Sequence, residues 1–236
     1  KSPRPAVPRI TQRVLPTHHS KFIFELCDAQ EEKDSFEILQ SPENNILVRG
    51  NNGIAMARGL YHYLKRYCDF HLSWCGDNAT LPQNLPRVEA PISISCPHKH
   101  RVYMNYCTFN YSATWWDWDR WQREIDFMAL NGINMPLQIV GMEKVWYDVL
   151  LSNGFDDEEA RSFLVGPGYL AWQLMTNIQS HGGPLPLSWI DMRCDLGKKI
   201  LSRQREMGMT PITHGFSGYV PKLFKEKFVP EIEKLN

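Results

Sequence analysis

The sequence predicts an α/β protein in which a small α+β domain precedes the start of a (β/α)8 TIM barrel. The first observation is that several strand-like segments and one amphipathic helix occur before residue 95. The second is that strand-like and helical segments alternate from Val102 onward, which favours a parallel sheet with right-handed crossovers. The third is that polar residues, Asn105 and Cys107, lie toward the end of the first of these strands, where a barrel carries its chemistry.

The first region is predicted to be a small α+β domain over residues 1–95. Runs of alternating, β-branched and aromatic residues predict its strands, at 21–26, 35–39, 45–48 and 70–74. Its helix is predicted from Ile54 to Cys68, because apolar residues recur there at helical spacing after a Gly- and Asn-rich turn. Residues 96–101 are predicted to be a linker.

About three β/α units are predicted over residues 102–236. The predicted strands are 102–109, 133–140 and 210–216. The predicted helices are 117–131, 143–151, 156–164 and 188–207, with Asp117 and Ser188 as expected N-caps. A complete eightfold barrel takes about 250 residues, which is more than the residues after the linker supply. We therefore expect a truncated barrel, which would leave apolar faces and strand edges exposed.

Composition argues against several classes of function. The chain carries 26 basic and 26 acidic residues, so no domain-wide positive field exists to attract nucleic acid. No apolar run approaches the roughly 20 residues that span a bilayer. The six cysteines lack CxxC spacing, which does not indicate a disulfide framework, and most are expected to be small buried residues.

Three motifs carry a family resemblance from about Arg13 to the end of the chain. They are NYCTFNYSATWWDWDRWQREIDFMALNGIN at 105–134, GPGYLAW at 166–172 and GGPLPLSW at 182–189. Together they resemble the α-N-acetylglucosaminidases, glycoside hydrolase family 89. The resemblance implies a retaining exo-glycosidase that releases terminal, non-reducing α-linked N-acetylglucosamine from glycans, with no metal or organic cofactor. It also implies a lysosomal, secreted or periplasmic location, although no signal peptide is present in this sequence. Natural glycan and oligomeric state stay open.

The resemblance places the catalytic carboxyl groups outside this chain. Glycosidases of the retaining type use two carboxyl groups, one as nucleophile and one as acid/base. In the family both are glutamates on later barrel strands, so we expect no catalytic residue here and no hydrolysis by residues 1–236 alone. Glu124 and Asp126 lie in the middle of a predicted helix beside arginines, and surface ion pairing is the favoured interpretation for both.

The resemblance implies that Asn105, Cys107 and Trp172 line the pocket for the terminal sugar. An amide can donate to and accept from sugar hydroxyls, and a Trp ring can stack on the apolar face of a pyranose. Cys107 offers a small, weakly polar surface. On one strand, Asn105 and Cys107 would project from the same face. Without the resemblance, core packing is the favoured interpretation for Trp172 and Cys107.

Four further residues are candidates for support around that pocket. Trp115 and Trp116 precede a helix on the expected catalytic side, Glu143 follows the second predicted strand, and His214 falls at the end of the third. A plain helix N-terminal acid remains the alternative for Glu143.

Other patterns are given a structural interpretation. Trp118, Trp121, Ile125 and Met128 follow helical spacing and are expected to pack on the barrel. The cluster at 96–100 lacks the paired spacing of zinc sites. His214 stands where the family more often has an uncharged residue, and two further positions depart from the family pattern. Met142 stands where Gln is usual, which removes a hydrogen-bonding group, and Gly168 stands where Ala is common.

Two other functions remain open from the sequence. One is a non-catalytic carbohydrate-binding or interaction protein derived from the same fold. The other is a hexosaminidase or glucuronidase of another family, since small α+β domains precede barrels there too. The sequence of residues 103–134 argues against this second alternative.

Overall fold

The computed structural model describes residues 6–28 and 33–232 and confirms the α/β class. Its helices are α1 (Ala6–Val14), α2 (Gly53–Tyr67), α3 (Tyr106–Thr108), α4 (Trp118–Leu130), α5 (Met142–Ser152), α6 (Asp157–Phe163), α7 (Leu170–Leu174), α8 (Leu187–Glu206) and α9 (Leu223–Ile232). Its strands are β1 (Phe22–Leu26), β2 (Ser35–Gln40), β3 (Ile46–Gly50), β4 (His71–Leu72), β5 (Asp77–Asn78), β6 (Ile92–Ser95), β7 (Val102–Tyr103) and β8 (Met135–Pro136). Shorter helical turns are 3-10 at His19–Lys21 and Pro167–Tyr169, and π at Phe109–Ala113.

Backbone contacts divide the chain into two compact units. Within the described residues, the first unit comprises 6–28, 33–103, 118–137 and 200–212. The second comprises 104–117, 138–199 and 213–232.

The first unit contains a four-stranded sheet in the order β1-β3-β2-β6. Strands β1 and β3 are parallel, and the β3–β2 and β2–β6 pairs are antiparallel. The three strands predicted before residue 50 are therefore confirmed. The sequence did not predict β6, and the predicted strand 70–74 is reduced to β4, which pairs with β5 outside this sheet.

Helix α2 covers one face of the sheet. Asn52 caps its N-terminus, with Oδ1 accepting from Ala55 N at 2.9 Å. Gly59 faces the sheet so closely that an added Cβ would lie 2.8 Å from Val48 Cγ1 and 3.0 Å from the Phe36 ring. Any larger residue at this position would push the helix away from the buried side chains beneath it.

Three chain segments in the first unit form the parallel arrangement expected at the start of a barrel. Val102 pairs with Met135 in register, and Leu137 forms a parallel bridge with Ile212. The predicted strand lengths were wrong, since 102–109 is reduced to β7, 133–140 to β8 with its bridge, and 210–216 to the bridge alone. The backbone groups of the remaining residues form hydrogen bonds in turns and helices, so they are not free to extend the parallel β-ladder.

Helix α4 matches its prediction, and Trp121, Ile125 and Met128 on one of its faces are fully buried. Surface ion pairing was predicted for Glu124 and Asp126. The predicted surface position was wrong, because both side chains are buried. Their pairing was right: Glu124 lies 2.9 Å from Arg120, and Asp126 binds two arginines of the same unit.

The second unit is built around a cluster of seven buried hydrophobic residues, which are Leu150, Phe155, Ala160, Phe163, Leu164, Leu185 and Ile190. Helix α6 begins with a capping box in which Asp156 accepts from Glu159 N at 2.8 Å. Ser188 was predicted as an N-cap, but it lies inside α8, which begins one residue earlier.

All six cysteines are free, and the expectation that most are buried was wrong, since only Cys68 is. No helix among the described residues is long and apolar enough to cross a membrane.

Candidate functional site

Asn105 ends the short strand β7 as a helix cap. Met104 before it has a φ of 71°, a left-handed conformation that turns the chain out of the extended path. Asn105 Oδ1 then accepts from Thr108 N at 3.0 Å and from Thr108 Oγ1 at 3.1 Å. Because Oδ1 holds the cap, the amide NH2 group of this exposed residue is the part that can donate to a ligand.

Cys107 lies within α3 rather than on a strand. The prediction that Asn105 and Cys107 project from one face of a strand was therefore wrong, because residues two apart do not face each other on a helix. The thiol is free and half-buried. The turn keeps both residues within three positions of each other, although it gives them different directions.

Trp172 of α7 contacts the π-helical segment that follows Cys107. Its ring meets Tyr111 edge-on, with centroids 5.4 Å apart and planes at 86°. Next to it, Ala171 N donates to Asn110 Oδ1 at 3.1 Å, which fastens the start of α7 to the same segment. The structure thus brings Trp172 to the segment that carries Asn105 and Cys107.

Tyr111 is the aromatic residue that the sequence reasoning missed. It is 76% exposed and touches half-buried Trp172, so it presents a free ring face beside the predicted sugar-binding residue. Tyr111 stands four residues after Cys107, the spacing that places two side chains on one helix face. That signal could be found only if 106–113 had been recognised as helical.

His214 approaches Asn105 through Tyr106. The His214 and Tyr106 rings lie edge-to-face, with centroids 5.8 Å apart. Burial lowers the pKa of His214, so the neutral imidazole is favoured at neutral pH. A neutral ring can donate from one nitrogen and accept at the other.

Glu143 lies at the first turn of α5 and is almost completely buried, with 2% exposure. Burial raises the pKa of its carboxyl group, while the nearby Arg193 guanidinium and Trp189 indole oppose that rise. Arg193 is itself buried and stacks over the Trp189 ring at 5.6 Å. Glu143 therefore belongs to a buried polar cluster of α5 and α8.

The cavity that Glu143 lines has a volume of about 10 Å³, with Asn110 and Arg193 also in its wall. That volume is close to the space of one water molecule and cannot admit a sugar ring. Glu143 is therefore separated from any glycan by the packed residues around it.

The two candidate tryptophans before α4 differ in exposure. Trp115 is 70% exposed, and its ring meets Trp189 edge-on at 5.5 Å. Trp116 is half-buried. Trp115 thus joins the group around Trp189, to which Glu143 also belongs.

The two departures from the family pattern differ in consequence. A Cβ added at Gly168 would meet no atom within 4 Å, so Ala and Gly are equally accommodated there. Met142 is the first residue of α5 and half-buried, and its thioether offers only a weak acceptor in place of an amide.

The described residues contain no group of three or more His, Cys, Asp or Glu side chains placed to hold a metal ion.

Family models match both regions of the chain. The model described as the alpha-N-acetylglucosaminidase (NAGLU) tim-barrel domain matches residues 101–234, more than half of the sequence. The model of the N-terminal domain of the same family matches residues 5–87.

Individual relatives give the same picture. Human alpha-N-acetylglucosaminidase is 40% identical over 195 residues, which are 83% of this chain and 26% of the human protein. Solved structures of a family 89 glycoside hydrolase from Clostridium perfringens, in complex with 2-acetamido-1,2-dideoxynojirmycin and with PUGNAc, match with TM-scores of 0.91. A doubly substituted form of the Clostridium perfringens protein, in complex with its substrate GlcNAc-alpha-1,4-galactose, also matches with a TM-score of 0.91.

Each of the Clostridium perfringens matches has 38% identity and covers 94% of this chain and 25% of the matched chain. The chain thus spans about a quarter of the length of these relatives.

Proposed function

Because the chain belongs to the alpha-N-acetylglucosaminidase family, we propose that it is part of a retaining exo-glycosidase that hydrolyses terminal α-linked N-acetylglucosamine. The observation that carries this proposal is the match of the barrel model to residues 101–234, together with the 0.91 TM-score to a relative in complex with GlcNAc-alpha-1,4-galactose. The non-catalytic alternative is not favoured, because the relatives that cover the chain are hydrolases.

The residues of this chain supply one side of the sugar pocket. Asn105 contributes an amide NH2 group that can donate to a sugar oxygen, since its Oδ1 atom caps α3. Trp172 and Tyr111 contribute ring faces for the apolar C–H surface of the pyranose, held perpendicular to each other. Cys107, two residues from Asn105, contributes a small wall that leaves space for a substituent.

Hydrolysis follows a double displacement in this proposal. A glutamate attacks the anomeric carbon, and a second one protonates the leaving oxygen and then activates water. Both come from sequence outside residues 1–236. Glu143 is not one of them, because it is buried beside Arg193 around a cavity too small for a sugar.

We also propose the division into an α+β domain (1–95), a linker (96–101) and a partial barrel (102–236). Support comes from β6, which ends at Ser95, and from β7, which begins at Val102. A lysosomal, secreted or periplasmic location is proposed from the human and bacterial relatives.

A panel of aryl glycosides tests the proposal on the protein expressed with the native sequence that flanks residues 1–236. We expect 4-nitrophenyl α-N-acetylglucosaminide to be cleaved and the corresponding β-anomer and α-glucuronide to be left intact. NMR of the first product formed should show the α-anomer, as retention requires. Cleavage of another glycoside in preference, or release of the β-anomer, would overturn the proposal.

A further inference from the structure

The first unit contains a cavity of about 620 Å³ beside α2 and β6, within the size range of small-molecule sites. One face of α2 forms a wall. The residues on this face recur at helical spacing, and they are Ile54, Ala55, Arg58, His62, Lys65 and Arg66. The rest of the lining comes from residues 34 and 36, from Ile94 and Ser95 of β6, from the segment that follows β6, and from residues 131–132 after α4.

The charge of this lining is strongly positive. Arg58, Lys65, Arg66 and Arg101 face a single acidic residue, Asp34. Asp34 is already paired with Arg101, whose guanidinium also donates to the His98 carbonyl at 2.8 Å. Arg58, Lys65 and Arg66 therefore contribute three positive charges that the Asp34 carboxylate does not balance.

Arg58, Lys65 and Arg66 have no carboxylate partner within ion-pair distance among the described residues. Arg58 is the most buried of the three, since it is half-buried and the other two are exposed. Its Cδ atom lies 3.4 Å from the position that a Cβ on Gly132 would occupy. Burial lowers the pKa of Arg58; Tyr61 and Cys96 oppose this shift, and repulsion by the positive charge of Arg66 adds to it. An anion bound beside Arg58 and Arg66 would relieve the repulsion between these two charges.

We propose that this cavity binds a small organic molecule through a phosphate or sulfate group. Guanidinium groups form paired, charge-assisted hydrogen bonds with tetrahedral oxyanions, and Arg58 and Arg66 provide two of them on one helix face. Exposed Ile94 and Pro97 provide apolar surface for the organic part of the ligand. The cavity exceeds what an inorganic ion fills. This inference does not depend on the proposed glycosidase activity.

Isothermal titration calorimetry tests the proposal with phenyl phosphate, phenyl sulfate and inorganic phosphate as probes, using the protein with its native flanking sequence. We expect at least one phenyl ester to bind with one site per chain and more tightly than inorganic phosphate. The tighter of the two esters identifies the oxyanion. Equal affinity for inorganic phosphate, or no binding of either ester, would overturn the proposal.

Substitutions assign the binding to the cavity. Arg66→Gln should weaken binding about tenfold, the effect of losing a charge-assisted hydrogen bond. Arg58→Gln should weaken it at least as much. Arg66 is exposed, so its replacement leaves the fold intact and keeps the test valid if Arg58→Gln fails to fold. Arg205→Gln, an exposed arginine on α8, is the matched control and should bind as the unsubstituted protein does. Equal losses in the Arg66 and Arg205 variants would refute the assignment.

Discussion

Replacing Asp126 with Asn should destabilise the protein more than any substitution of an exposed charge. Asp126 of α4 accepts from Arg13 Nε at 2.7 Å and from Arg13 Nη2 at 2.8 Å. Arg203 of α8 donates to the same carboxylate at 3.3 Å. Residues from the beginning, middle and end of the sequence therefore meet at one carboxylate in the first unit.

The magnitude follows from the burial of each partner. The Asp126 and Arg203 side chains are 7% and 5% exposed, whereas that of Arg13 is 32% exposed and partly screened by solvent. Breaking a buried ion pair from one side costs about 3–5 kcal/mol, because the other charge stays buried without compensation. Since Arg13 can still reach water and Arg203 keeps its ion pair with Glu206 at 3.3 Å, we take the lower end, about 3 kcal/mol. In a domain of 150–250 residues this lowers Tm by roughly 6–12 °C.

Thermal unfolding followed by circular dichroism measures this effect. Asp195→Asn is the matched control, because Asp195 pairs with Lys198 on α8 at high exposure of both side chains. It should change the free energy of unfolding by less than about 0.5 kcal/mol. Adding Arg203→Met to Asp126→Asn should recover part of the loss, since it removes the buried charge that has lost its Asp126 partner. Equal Tm shifts for Asp126→Asn and Asp195→Asn would refute this reasoning.

Three further substitutions test local features. Gly197→Ala should lower stability by about 1–3 kcal/mol in denaturant titration, because the added Cβ would overlap the Val140 carbonyl oxygen; unchanged stability would contradict that close approach. Asp156→Ala should lower stability by about 1 kcal/mol through loss of the capping box with Glu159, and a gain in Tm would contradict the cap. Burial raises the pKa of Glu143, so its carboxyl group stays protonated to higher pH in the folded state than in the unfolded state. The contribution of Glu143 to the free energy of unfolding therefore falls as the pH rises above 4.5, the ordinary pKa of a glutamate. When Tm is measured against pH, the Glu143→Gln variant should lack this decline. Identical pH profiles of Tm for the variant and the unsubstituted protein would contradict the raised pKa.

Helices with a buried face were predictable because burial repeats along them at a visible period. Apolar residues mark α2 and the Trp121 face of α4 in this way. The same signal exists in α1, where Val7, Ile10 and Thr11 are buried, but Pro8 obscured it. A proline is tolerated there because it falls in the first turn, where its missing N–H group has no helical partner.

Strand lengths were less predictable because polar side chains compete for the backbone. The alternation from Val102 onward favoured a long strand, whereas Asn105 forms stronger local hydrogen bonds as a helix cap. The resulting helix is what places Tyr111 against Trp172. Periodicity could not reveal this contact, since the two residues are 61 positions apart in the sequence and meet only through tertiary packing.

Candidate residues differ in how far the sequence alone could assign them. Asn105 and Cys107 are near neighbours, so their proximity was predictable even though their directions were not. Glu143 resembled a helix N-terminal acid, and its burial against Arg193 depends on the packing of α5 and α8. An arginine within an amphipathic helix usually indicates a solvated face, so the sequence did not predict that Arg193 is buried beside Glu143.

The most direct test of the proposed sugar subsite is kcat/KM for 4-nitrophenyl α-N-acetylglucosaminide, measured on the Trp172→Ala variant of the protein with its native flanking sequence. Loss of an aromatic wall that contacts the pyranose should lower kcat/KM at least about tenfold at unchanged Tm. A folded Trp172→Ala protein with undiminished kcat/KM would show that this residue is core packing, and would contradict the account.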